Sequence, residues 1–81
     1  MVVEFITRAV IERKDPIQRR NGTCRYELWE LSTQGRRLAL VDSVSIQFRA
    51  GNPDWFEAGE AKSTLRAAAR SRDLEVVRED A

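Results

Sequence analysis

The side chains able to act as nucleophiles in this chain are Cys24 and the hydroxyls, among them Ser32, Ser43, Ser45, Ser63 and Ser71. A serine needs a positioned general base, and the usual one is absent, because the 81 residues include no histidine. No Gly-x-Ser-x-Gly elbow and no phosphate-cradling Gly-x-x-x-x-Gly-Lys loop occurs. Cys24 alternates with Tyr26 and Leu28, which reads as a small core residue rather than a nucleophile. A single cysteine without histidine also rules out an intrachain thiolate zinc site. Glu57 and Glu60 form a carboxylate pair near the start of a predicted helix, where acidic residues oppose the helix dipole without any catalytic duty. The expectation is a protein that is not an enzyme and uses neither cofactor nor metal.

Binding chemistry is better represented. Lys and Arg number 14 against 13 Asp and Glu, and only Lys14 and Lys62 are lysines. Guanidinium groups suit bidentate contact with phosphate or carboxylate. The net charge of +1 hides a strong segregation. Residues 13–37 carry seven basic and three acidic side chains, and residues 62–72 carry four basic and none acidic. Residues 38–61 and 73–81 are each acidic by three charges. Side by side, Arg13, Lys14, Arg19, Arg20, Lys62, Arg66 and Arg70 would track a phosphate backbone or an acidic partner.

These residues need a scaffold, and a chain of this length builds one domain, residues 1–81, with a small core. From Val2 to Glu12 the alternation with much β-branching predicts a strand. Asp15-Pro16 interrupts it and Asn21-Gly22 suits a tight turn, bracketing a mobile basic hairpin or loop at about 13–22. A second strand follows over Thr23–Ser32, with Cys24, Tyr26 and Leu28 on one side and Arg25, Glu27, Trp29 and Leu31 on the other. Thr33-Gln34-Gly35-Arg36 turns the chain into a third strand. There Leu38, Leu40, Val44, Ile46 and Phe48 share a face opposite Val41, with a bulge or bend at Asp42. Asp54 and Glu57 make a capping box for a helix ending near Ser71, with Trp55 and Phe56 stapling it to the sheet. Lys62, Arg66 and Arg70 form a basic stripe on it, and Leu74–Val77 returns as a short strand.

The expected fold is therefore α+β, a small antiparallel sheet of three to four strands with one helix on one face, in the order β-β-β-α-β. Phe5, Tyr26, Leu28, Leu38, Leu40, Ile46 and Phe48 should meet Ala58, Ala61 and Leu65 of the helix. One helix covers one sheet face, which leaves Ile6, Val10, Trp29, Leu31 and Val41 on the other. Five such side chains left wet would forgo roughly 1.5–3 kcal/mol each, so the face is expected to join two copies as a homodimer. The leading expectation is a non-enzymatic binding or regulatory module acting through protein–protein contacts, with nucleic-acid binding by the basic residues as the alternative. No apolar stretch approaches the roughly 20 residues of a membrane span, and the N-terminus lacks the order of a signal peptide. A cytoplasmic protein with no membrane partner is expected.

Overall fold

A computed structural model describes residues 6–18 and 20–81. The elements run β1 (Thr7–Lys14), β2 (Asn21–Leu31), β3 (Arg37–Arg49), β4 (Asn52–Pro53), α1 (Trp55–Ser71) and β5 (Leu74–Glu79). They build one five-stranded sheet in the order β4-β3-β2-β1-β5, with α1 packed on one face. The sheet has more strands than the expected three to four, and it is mixed rather than antiparallel. β1, β2, β3 and β4 pair antiparallel, whereas β5 runs parallel to β1. The reason is α1, a crossover helix that returns the chain to the same end of the sheet before β5 begins. No helix among the described residues is long and apolar enough to cross a membrane.

The core lies between α1 and the sheet. Ile11, Cys24, Tyr26, Leu28, Ile46 and Phe48 are buried from the strands, and Ala58, Ala61, Leu65 and Ala69 from the helix. Three of those four helix positions are alanine, which lets the helix lie close over the large strand side chains. Asp54 caps α1 by accepting from Glu57 N–H at 3.0 Å. The reciprocal half of the capping box is missing: Glu57 Oε2 instead accepts from Gln47 N–H at 2.9 Å, and Asp54 N–H donates to the Gln47 carbonyl at 2.9 Å. The first turn of the helix thus closes the outer edge of β3, where β4 reaches only Phe48 and Arg49. Trp55 and Phe56, expected to staple the helix, are exposed instead, since the phase set by buried Ala58, Ala61, Leu65 and Ala69 turns Phe56 to the opposite side and Trp55 to the flank of the helix.

The bulge or bend expected at Asp42 is a bulge at the adjacent Val41, and it overturns the expected placing of the residues around it. Leu28 pairs with Asp42 but Trp29 pairs with Leu40, so Val41 is the extra residue. Leu40 and Ala39 exchange faces relative to a regular strand, and a second irregularity restores the alternation at Arg37, which pairs with Leu31. Val41 packs against the core, correcting its expected place beside Trp29. Leu40, expected inward, is 48% exposed, and Leu38 is exposed at a second irregularity between Glu30 and Leu31. The segment at 13–22, expected as a mobile basic hairpin or loop, is strand up to Lys14 and again from Asn21. Gly22 is not at a turn tip; a Cβ there would approach Pro16 Cβ to 3.0 Å, so the glycine admits the loop onto β2. Phe5 and the rest of residues 1–5 lie outside the described residues, as does Arg19.

Candidate functional site

The cross-strand register writes out the sheet face that α1 does not cover. Its rows are Lys14 with Arg25 and Ser45, then Glu12 with Glu27 and Ser43, then Val10 with Trp29 and Leu40. Leu31 and Arg37 follow as the next pair, and Arg78 of β5 sits beside Val10. Directly opposed carboxylates such as Glu12 and Glu27 repel unless cations neutralise them. Three arginines do so. Arg25 Nη2 lies 2.8 Å from Glu27 Oε2, Arg37 Nη1 3.3 Å from Glu12 Oε1, and Arg78 Nη2 3.5 Å from Glu12 Oε2.

Charge is therefore layered along the normal to the sheet. The Glu27 and Glu12 side chains are only 5% and 16% exposed, while those of Arg25, Arg37 and Arg78 are 51–60% exposed. Carboxylates lie at the bottom and guanidinium groups on top. Trp29 anchors the arrangement, its Nε1–H donating to Glu27 Oε1 at 3.1 Å and its ring carrying the Arg37 guanidinium 5.5 Å from the centroid. Such stacking combines cation–π attraction with cover for the apolar ring. Arg36, at the end of the β2–β3 turn, has an exposed side chain and no ion pair among the described residues. Together Arg36, Arg37 and Arg78 line an open groove with Val10, Leu31 and Val77.

The five residues expected as an apolar contact face fare differently. Trp29 and Leu31 are half-buried on the uncovered face, and Ile6 is exposed at its end, lining a second depression with Leu31 and Leu38. Val10 is on this face but already buried beneath its neighbours, and Val41 is on the other. Leu38 and Leu40 bring exposed apolar surface in their place. This strip is apolar at one end and arginine-covered over its centre.

The expected phosphate-tracking set does not assemble as one surface. Arg13 donates to Asp15 Oδ2 at 2.9 Å and to the Ala81 main-chain oxygen at 3.0 Å, and its pKa is raised chiefly by the Asp15 hydrogen bond. Arg66 forms a two-pronged contact with Glu79 at 2.6 and 2.9 Å, which holds the Glu79 carboxyl below its usual range. Lys62 Nζ lies 5.8 Å from the Tyr26 ring centroid. Arg13 and Lys62 thus meet at Tyr26, whose partner across the ladder is Arg13. Lys14 is on the opposite face beside Arg25, Arg20 is exposed near Gly51, and Arg70 is exposed on the helix.

Cys24 is buried, and its pKa is pushed up to about 11 by burial and then by the Asp15 charge. At neutral pH it is a thiol, with Sγ 3.6 Å from Asp15 Oδ1. Glu57 is engaged with Gln47, and no group of three or more potential metal-ligating side chains occurs among the described residues.

Sequence reasoning missed Arg25, Arg36, Arg37 and Arg78. The Arg25-x-Glu27-x-Trp29-x-Leu31 alternation was visible and put those four on one face. Nothing local joins Arg37 and Arg78 to Glu12, since those contacts depend on the register of non-neighbouring segments. Comparison with protein-family models, with curated proteins and with solved structures found no match.

Proposed function

We propose that this protein is a non-catalytic binding module whose helix-free sheet face is a protein-contact surface. The observation that carries the reading is the row of Trp29 and Leu40, with Leu31, Leu38 and Ile6 beyond it, on a face over which the described residues build no second layer. A sheet face bearing this much aliphatic and aromatic surface ordinarily finds a cover. The face is a better contact than the β3 edge. Gln47 has both main-chain groups engaged by the start of α1, Ser43 N–H donates to Asp42 Oδ1 at 2.8 Å, and the bulge at Val41 breaks the regular ladder. Side-chain plugs and bulges of this kind discourage strand addition.

The expectation of self-association rests on a uniformly apolar face. With Arg25, Arg37 and Arg78 outermost, two copies meeting face-on would stack like charges. The geometry therefore favours a different protein as partner, and sedimentation should find a monomer at micromolar concentration. A photo-crosslinking residue at Leu40 tests the surface directly, with Thr64 on the exposed side of α1 as control. Adducts with host proteins at position 40 and none at 64 are expected. Equal yields from the two positions would remove the case for this face.

A further inference from the structure

Taking the sheet face as the contact surface, we infer that its groove beside Trp29 takes an acidic protein segment with aliphatic or aromatic anchors. Arg36 and Arg37 line it from the β3 side and Val77 and Arg78 from β5, with Leu31 of β2 and Val10 of β1 between them. Glu12 is the single carboxylate among the lining residues, and it is divided between Arg37 and Arg78 at 3.3 and 3.5 Å. A guanidinium has five N–H donors in a fixed fork. Arg37 and Arg78 carry ten such donors between them, engaged only by Glu12 and, for Arg78, by Asp80 at 3.8 Å, and Arg36 adds five more without an ion pair among the described residues. An incoming carboxylate would be met bidentately and without displacing Glu12.

The apolar component decides the kind of polyanion. A single-stranded nucleic acid matches the charge but draws much of its affinity from stacking on free aromatic faces. Here the Trp29 ring is taken by Arg37, and the exposed side chains beside the groove are aliphatic: Val77, Leu38 and Leu40. Those surfaces suit Leu, Ile or Phe anchors of a peptide, with flanking Asp or Glu reaching the arginines. A second copy of this chain is disfavoured by the same arginines.

Fluorescence anisotropy with a labelled peptide of alternating Glu and Leu, about a dozen residues long, tests this against a Lys-and-Leu peptide and a single-stranded DNA of similar length. The acidic peptide should bind in the micromolar range and weaken as salt rises from about 50 to about 200 mM. Arg36→Glu, at an exposed site that makes no ion pair among the described residues, should weaken it about tenfold. Arg70→Glu on the helix should leave it unchanged. Equal binding of the Lys-and-Leu peptide, or tighter binding of the DNA with the same loss on Arg36→Glu, would overturn the acidic-peptide assignment. Absence of acidic-peptide binding alongside adducts at position 40 would overturn it too, while leaving the contact surface standing. Absence of both would remove the two together.

Discussion

The bulge at Val41 makes adjacent residues respond in opposite ways to the same substitution. In a regular strand continuing the face of Val44, Ile46 and Phe48, Leu40 would be the inward residue and Val41 the outward one. The structure exchanges them, with Val41 half-buried against the core and Leu40 48% exposed beside Trp29. Full burial of such a side chain is worth about 1.5–3 kcal/mol, so Val41→Asn forfeits about 1–2 kcal/mol of apolar burial. It also places a carboxamide against the core at a further cost of about 1–2 kcal/mol. Leu40→Asn forfeits about 1 kcal/mol and its amide remains in water. The expected gap is about 1–3 kcal/mol, or roughly 5–25 °C in Tm for a domain this small. Circular-dichroism melts of both variants at submicromolar concentration, where association cannot support either, supply the measurement. A Leu40→Asn variant melting at or below Val41→Asn would refute the exchange of faces, and with it the contact strip built on Leu40.

Other outcomes follow from single sites. Gly59 is an exposed helix-interior residue, and a Cβ added there would meet nothing within 4 Å, so Gly59→Ala should stabilise by about 0.5–1 kcal/mol in chemical unfolding. Glu79 has a lowered pKa beside Arg66, so its contribution is complete above the unfolded value near 4.3 and disappears as pH falls through the folded one. Melting curves of wild type and Glu79→Gln should converge toward pH 3 and separate above about pH 5. Cys24 has the opposite sign: the unfolded thiol ionises near pH 8.5, whereas the folded one holds its proton to about 11. Stability should decline through that interval, less steeply in Cys24→Ala, and the native thiol should resist aromatic disulfide reagents at pH 8.

The helix from Trp55 to Ser71 was legible because a capping aspartate, spaced alanines and Leu65 all agree on one period. β2 was legible for the same reason, as its alternation continues unbroken from Cys24 to Leu31. β3 was legible only in part: Asp42 marked an irregularity, but nothing local said that Val41 is the extra residue or that Leu40 and Ala39 change face before a second irregularity restores the alternation at Arg37. The asparagine and glycine at 21–22 suggested a turn, but the glycine answers a steric need of Pro16, a neighbour in space. The arginine canopy was hidden for a related reason. Arg37 and Arg78 look like ordinary surface charge until β1 brings Glu12 between them.

The parallel pairing of β5 with β1 fixes when the fold can close. β1 is an interior strand, with β2 on one side and a segment more than sixty positions later in the chain on the other. The β2–β3 hairpin can form early and locally, whereas the far side of β1 must wait for residues 74–79 and the helix that delivers them. During synthesis, Thr7 to Ile11 therefore present an open pairing edge until nearly the whole described chain has emerged. That interval is when strand exchange between nascent chains competes with correct closure. Amide hydrogen exchange should show the same order in reverse, with β5 losing protection before β2 and β3.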